Sequence, residues 1–350
     1  MSPIPDTRYP IPSVAYWQDG LWSRPDRVRY PGLAGPAQAD VVIIGGGISG
    51  CSLAYWLARD GVRPLLLEAR TIAAGASGRN AGFLTASTAE GYATVVDRFG
   101  RETARRLWAF SAANSASVRG VIEEHGLHDI GYQLIDAVTL AASAEEAAAV
   151  ERHVRLLQAD GWPVERLQRE DLPPLLRRHY LGGVLKRANA EIDPARFVDA
   201  LASLAASLGA RIHEHSEVTG WSETAAGGVR LETASGDVQA QTAILATNAL
   251  APRLAPELPI TAQRGQVLAT QPLPERYCNW LCGANWGHQY RHQLPDNRLV
   301  VGGWRNLAVG EEERDAIVER PTEMVQAGID AFLRDVYGLT DPLPVTHRWA

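Results

Sequence analysis

The clearest run of apolar positions is Val41-Val42-Ile43-Ile44, four β-branched residues set between a polar stretch and a cluster of glycines. Such a run is too stiff and too short for a helix of its own and predicts a buried strand. Gly45 to Gly50 follow at once and satisfy G-x-G-x-x-G with Gly45, Gly47 and Gly50. A helix from about Ser49 to Arg59 stops at Gly61, and Pro64 to Leu67 forms a second strand that ends on Glu68, eighteen residues after the last glycine. In this strand–turn–helix–strand unit the first glycine makes the turn and the second lets backbone approach a pyrophosphate. The third lets the helix pack close to the strand. The amides of Ile48 and Ser49 at the helix start would face the phosphates. Glu68 stands where a carboxylate binds ribose hydroxyls. A glycine turn also occurs for purely structural reasons, but here the strand, the helix and the acid agree on a dinucleotide. They do not decide between NAD and FAD.

The remaining pattern alternates between helical and strand periods. Residues 1–38 are rich in proline and carry Trp17, Trp22 and Tyr30, which predicts an irregular arm anchored by its aromatics. Residues 71–83 are short on bulky side chains. Asp97 to Glu124 reads as a helix, Gln133 to Ala142 as a strand, and Ser143 caps a helix to Ala159 with Glu146 at the reciprocal capping position. Asp193-Pro194 opens a helix through Leu208, and Arg211 to Val218 is a strand. Val229–Thr233 and Val238–Ala240 pair around Ser235-Gly236-Asp237, and Thr242 to Ala249 is a buried strand. Strands Gln266–Thr270, Trp286–His292 and Arg298–Gly303 suggest a second, mostly antiparallel sheet before a last helix, Pro321 to Val336.

Composition changes this picture little. With 350 residues, 46% hydrophobic, 21% charged and a net charge of −6, the chain reads as soluble, with room for two domains and no broad basic surface for nucleic acid or anionic membrane. The N-terminus lacks the order of a signal peptide and no apolar run spans a membrane, so the expectation is a cytoplasmic protein. Three cysteines, Cys51, Cys278 and Cys282, make no disulfide framework and read as packing residues. Neither Cys278 with Cys282 nor His213 with His215 has the further ligands a metal needs, so no metal is expected.

Four stretches together resemble the FAD-dependent amine and amino-acid oxidoreductases, the family of D-amino-acid oxidase, glycine oxidase and sarcosine oxidase. They are DVVIIGGGISG with LLLEAR, GASGRNAGF at 75–83, EIDPARFVDALASLAASLGARIHEHSEV at 191–218, and ILATNA…RGQ at 244–266. GASGRN is most similar to the γ-glutamylputrescine oxidase branch. The resemblance implies an α/β fold: a Rossmann-like FAD-binding domain interleaved with a second domain on a largely antiparallel sheet. It places the FAD-binding domain in 39–106, 189–257 and 343–350, and the substrate domain in 107–188 and 258–342. It implies FAD held by Gly45, Gly47, Ile48, Ser49, Gly50, Glu68, Arg70, Ser77, Arg79, Asn80, Gly82, Val218, Ala246, Thr247 and Gly303. Arg79 would offset phosphate charge, and the backbone of Val218 would hold the adenine.

The resemblance also implies that residues 288–304 form the strand pair facing the substrate. Tyr290 is the first candidate for substrate contact, with Arg291 and His288 next. Strand alternation puts Tyr290 and His292 on one face and Arg291 on the other, so all three cannot serve. The expected activity is oxidation of a carbon–nitrogen bond in a small amine or amino acid by hydride transfer to flavin N5. A flavin-binding protein without turnover and an NAD-dependent dehydrogenase are the alternatives. Two departures stand out. Leu299 to Gly302 holds no lysine, where the sarcosine-oxidase branch has one, and Lys186 is the only lysine in the chain. In relatives a stretch like His347-Arg348-Trp349 is followed by a segment that returns to the nucleotide domain, so the FAD-binding domain is expected to be incomplete at its C-terminal end.

Overall fold

The β-branched run forms the buried end of β1 (Ala37–Ile44), the strand on which one half of the molecule is built. The structure is a computed structural model and describes residues 14–225, 227–314 and 318–350. It divides into two units, residues 15–80 with 193–263 and residues 81–192 with 264–350.

In the first unit α1 (Tyr16–Trp22) precedes β1, then α2 (Ile48–Arg59) and β2 (Leu65–Leu67) follow. The chain re-enters this unit at α6 (Pro194–Ser207), β7 (Arg211–His213), β8 (Val218–Glu223), β9 (Val229–Thr233) and β10 (Val238–Leu245). The sheet order is β7-β2-β1-β10-β9-β8. The first four strands are parallel, and β9 and β8 are antiparallel additions. Ile44 lies beside Leu67 and Leu245, and Leu67 beside His213, so Gly45, Glu68, Glu214 and Ala246 all leave from one carboxyl edge. The strand order reverses around β1, the place where open α/β sheets form a binding crevice. Asp193 caps α6 by accepting from the Arg196 amide at 3.0 Å, with Pro194 in the first turn as its fixed φ allows.

The second unit holds β3 (Phe83–Leu84), α3 (Tyr92–Phe99), α4 (Arg101–His125), β4 (Gln133–Leu140), α5 (Ala144–Ala159), β5 (Val164–Gln168) and β6 (Gly182–Glu191). After the first unit's strands come β11 (Val267–Thr270), β12 (Leu281–Ala284), β13 (Gln289–Gln293), β14 (Leu299–Gly303), α7 (Val309–Arg314), α8 (Glu323–Tyr337) and β15 (Val345–Trp349). The order is β15-β11-β14-β13-β12-β4-β6-β3, with β5 on β6, and only β12 with β4 is parallel. Leu268, Val301 and Leu299 pack with Val325, Ile329 and Leu333 of α8 in one buried core. Val184 of β6 belongs to a second core with Tyr92, Trp108 and Val150 from α3, α4 and α5.

The structure departs from the sequence expectations at defined points. Residues 16–22 of the proposed arm are helical, and residues 1–13 lie outside the described residues. Gly100, at φ +83°, splits the single helix expected over 97–124 into α3 and α4. His215, at φ +52°, ends β7, so Val218 opens a new strand rather than closing the old one. Trp286, at φ +54°, keeps β13 from starting before Gln289. Residues 81–106 belong to the second unit, and β15 pairs with β11 there, so 343–350 do not join the nucleotide-type unit as expected. Ser143 caps α5 as read, but the Glu146 carboxylate reaches the Ala142 and Trp286 amides, both at 2.8 Å, instead of closing a capping box. Among the described residues no helix is long and apolar enough to cross a membrane, and no group of three or more His, Cys, Asp or Glu side chains is placed to hold a metal ion.

Candidate functional site

The three motif glycines have three different local reasons. Gly45 sits at φ +115°, and a Cβ there would come 2.6 Å from the Ala246 carbonyl oxygen. Gly50 faces inward, where a Cβ would lie 1.9 Å from the Gly45 carbonyl oxygen, so α2 can approach β1 only without a side chain. Gly47 has an ordinary φ of −85°, and a Cβ would meet nothing nearer than Ser77 Oγ at 3.0 Å. The chain's backbone therefore demands glycine at 45 and 50, whereas at 47 only the Ser77 hydroxyl limits the space.

Around that bare position the polar groups are oriented. The Ile48 amide donates to Ser77 Oγ at 2.9 Å, and the Cys51 amide donates to the Gly47 carbonyl to begin α2. Glu68, half-buried, accepts from the Gly46 amide at 2.7 Å and from the Arg70 amide at 2.8 Å. Each of its oxygens takes one backbone donor and keeps lone pairs for another. Beyond the neighbouring strand, Thr247 Oγ1 is buried with no hydrogen-bond partner among the described residues. Arg79 Nη1 donates to Gln18 Oε1 at 3.0 Å, while Gln18 Nε2 donates to the carbonyls of Ala73 and Ala74. Trp17 Nε1 donates to the Asn80 carbonyl at 2.8 Å, and Asn80 Nδ2 to that of Ser77. The loop carrying Ser77, Arg79 and Asn80 is thus tied to α1, a role for Trp17 and Gln18 that sequence reading missed. Arg70 is exposed, and Val218 is buried as the first residue of β8. Gly82 lies in the second unit at φ +74°, its carbonyl accepting from the Ile192 amide.

In the second unit, the row Val267, Gly302, Tyr290 and Gly283 shares one sheet face. Tyr290 and His292 stand on that face, each edge-on to Phe83 at 6.2 and 5.0 Å. His292 Nδ1 is 2.8 Å from Glu191 Oε2, and Glu191 Oε1 is buried without a hydrogen-bond partner among the described residues. Burial pushes the Tyr290 hydroxyl up to about 12, so it is a neutral donor at ordinary pH. Glu191 appears in the sequence only as the acid before a helix cap; nothing local announces that the sheet carries it to His292.

Arg291 goes the other way, wholly buried, with Nε donating to Tyr337 Oη at 2.8 Å, and does not join Tyr290. His288 precedes β13, and its carbonyl accepts from the Trp304 amide at 2.7 Å. That carbonyl explains Gly303, where φ is +120° and a Cβ would lie 2.0 Å from it. The Tyr290 ring explains Gly302, where a Cβ would come 2.4 Å from the ring edge. Lys186, whose amine burial lowers to about 8, stands on β6, with β13, β12 and β4 between it and β14.

The bare glycine turn at a strand-order reversal, joined to a mostly antiparallel sheet unit, defines a class that comparison identifies. Residues 40–350 match the family model described as FAD dependent oxidoreductase, the D-amino-acid-oxidase type, and the chain belongs to that family of FAD-dependent enzymes. Among curated relatives it is 28% identical over 339 residues to the Probable oxidoreductase OrdL of Rhizobium meliloti, covering 93% of this chain and 75% of that one. It is 31% identical over 285 residues to the gamma-glutamylputrescine oxidoreductase of Escherichia coli, covering 75% of this chain and 64% of that one, just under two thirds of the relative's length. The solved glycine oxidase of Geobacillus kaustophilus shares the fold, with a TM-score of 0.71 at 22% identity over 89% of this chain and 82% of that one.

Proposed function

We propose that this protein oxidises the carbon–nitrogen bond of a small amine or amino acid, with FAD held at the Gly45–Gly50 turn. The observation that carries the reading is Gly47, where no backbone strain requires glycine and the one group a side chain would crowd is the Ser77 hydroxyl. The donor set fits the dinucleotide. A helix N-terminus faces the space for phosphates, Glu68 is held by two amides with lone pairs to spare for ribose hydroxyls, and Thr247 brings an unspent buried hydroxyl. When bound, FAD supplies the hydride acceptor, flavin N5; the protein supplies binding, orientation and electrostatics.

Tyr290, His292 and Glu191 form the substrate-facing cluster in this reading. Tyr290 offers a neutral hydroxyl to a substrate carboxylate or amine. His292, oriented by Glu191, takes a proton at the nitrogen turned away from the carboxylate, which suits an amine that must lose its proton before oxidation. Relatives named gamma-glutamylputrescine oxidoreductase and glycine oxidase support a substrate among small amines and amino acids. The test is anaerobic mixing of the flavin-loaded protein with a panel of such compounds. Bleaching of the flavin absorption by at least one of them, slowed at least tenfold in His292→Gln, is the expected result. A flavin that no amine reduces contradicts the oxidoreductase assignment for this chain.

A further inference from the structure

Away from that cluster, on the opposite face of the second sheet, lies a buried group that the proposed reaction does not use. Arg291 pairs across the sheet with Cys282, so their side chains stand next to each other. Its guanidinium lies 5.3 Å from the Tyr180 ring centre and 5.0 Å from that of Phe332, and Nε donates to Tyr337 Oη at 2.8 Å. Nη1 and Nη2 are buried and unpartnered among the described residues. An unpaired buried cation is costly, so a counter-charge is required. The acidic groups facing it are the hydroxyls of Tyr180 and Tyr337, both held protonated by burial, and the thiols of Cys282 and Cys278. The two sulfurs are 3.1 Å apart, and the Trp280 carbonyl, 3.1 Å from Cys278 Sγ and 3.7 Å from Cys282 Sγ, can accept the one remaining thiol proton.

We propose that Cys278 and Cys282 are a reactive dithiol that balances Arg291 with one thiolate and is oxidised by hydrogen peroxide to an intrachain disulfide. Plain packing of two thiols would leave the guanidinium without a counter-charge. Cys278 is the thiolate: hydrogen bonding from Cys282, with Arg291 nearby, brings it down to about 7, whereas burial and its partner hold Cys282 well above the usual thiol range. In the first step the Cys278 thiolate attacks one peroxide oxygen. The O–O bond breaks, a sulfenic acid forms, and the departing hydroxide takes the Cys282 proton to leave as water. Cys282 sulfur then attacks the sulfenic sulfur, the S–S bond forms, and hydroxide leaves and is protonated to a second water. Two electrons pass from the sulfurs to the peroxide. Both thiols are buried, and Cys278 sits in the irregular segment 271–280, so local opening of that segment admits peroxide while bulky thiol reagents are excluded.

The experiment treats the folded full chain with hydrogen peroxide, quenches it, and counts thiols in denaturant. The chain has three cysteines, so the expected count falls from three to one, with Cys51 the survivor and the peptide spanning 278 and 282 lighter by two hydrogens. Cys51→Ser should fall from two thiols to none, while Cys278→Ser and Cys282→Ser should each form no intrachain disulfide. Arg291→Met should slow disulfide formation at least tenfold. Should that variant not fold, the ultraviolet thiolate absorption of the wild type, lost in Cys278→Ser and titrating below an ordinary thiol, replaces it. Three thiols surviving in the folded wild type, or oxygen added to one sulfur without a disulfide, overturns the proposal. So does the absence of thiolate absorption at neutral pH.

Discussion

Two glycine clusters, Gly45–Gly50 in one unit and Gly302-Gly303 in the other, look alike in sequence and differ in what surrounds them. At 302 and 303 the protein itself fills the space a side chain would take, with the Tyr290 ring and the His288 carbonyl. At 45 and 50 the same holds, through the carbonyls of Ala246 and Gly45. Gly47 and Gly302 meet only side chains and have no positive φ, and Gly47 is the less crowded of the two, with Ser77 Oγ at 3.0 Å against the Tyr290 ring edge at 2.4 Å. A glycine that the fold needs reports packing; a glycine that the fold does not need, beside a helix N-terminus, reports something absent from the chain.

The largest effect that can break this comparison is at Gly50. Gly50→Ala drives a methyl group against the Gly45 carbonyl, between backbones that cannot shift separately, so we expect loss of soluble folded protein. A soluble Gly50→Ala protein with unchanged thermal stability would mean that close helix–strand packing is not what this position serves.

Legibility in the sequence follows the same division. The β1–α2–β2 unit was legible because its strand, turn, helix and acid lie within about thirty consecutive residues and each has a local cause. The sheet of the second unit was legible only in pieces. β6 and β12 lack a clean alternating pattern, and β12 lies parallel to β4 from far along the chain, a pairing no local rule announces. Reversals at Gly100, His215 and Trp286 depend on single positive φ values, two of them at residues that rarely adopt one. The grouping of Tyr290, His292 and Glu191 was half legible. Tyr290 and His292 followed from alternation, but Glu191 reaches His292 across 101 positions of sequence.

Smaller effects sharpen the contrast. Gly303→Ala combines a positive φ with a carbonyl contact and should destabilise the fold by about 2–3 kcal/mol or more. Gly302→Ala displaces the Tyr290 ring and should cost somewhat less, because a side chain can move where a backbone cannot. Thermal unfolding of flavin-free protein measures both. For Gly302→Ala, the account also expects impaired amine turnover through the displaced tyrosine. Unaltered kinetics would remove Tyr290 from the substrate site.

Glu68→Gln tests the acid. Its two oxygens each face a backbone donor, so the amide substitution sets an NH2 group against the Gly46 or Arg70 amide and weakens the turn as well as the ribose contact. We expect FAD binding to weaken by about 1–3 kcal/mol, with a small drop in the melting temperature of the flavin-free protein. An unchanged dissociation constant would leave Glu68 as a turn-holding residue only.

The most direct test is at Gly47, where the expected cost to the fold is smallest and the cost to the ligand is not. FAD titration of Gly47→Ala beside the wild type, with thermal unfolding of both flavin-free proteins as the control, isolates the ligand. The account predicts that Gly47→Ala unfolds within about 1 kcal/mol of the wild type, since its methyl group meets only Ser77 Oγ. It also predicts FAD binding at least tenfold weaker, about 1.4 kcal/mol. Equal FAD affinity in the two proteins would contradict the assignment of the Gly45–Gly50 turn as the flavin site.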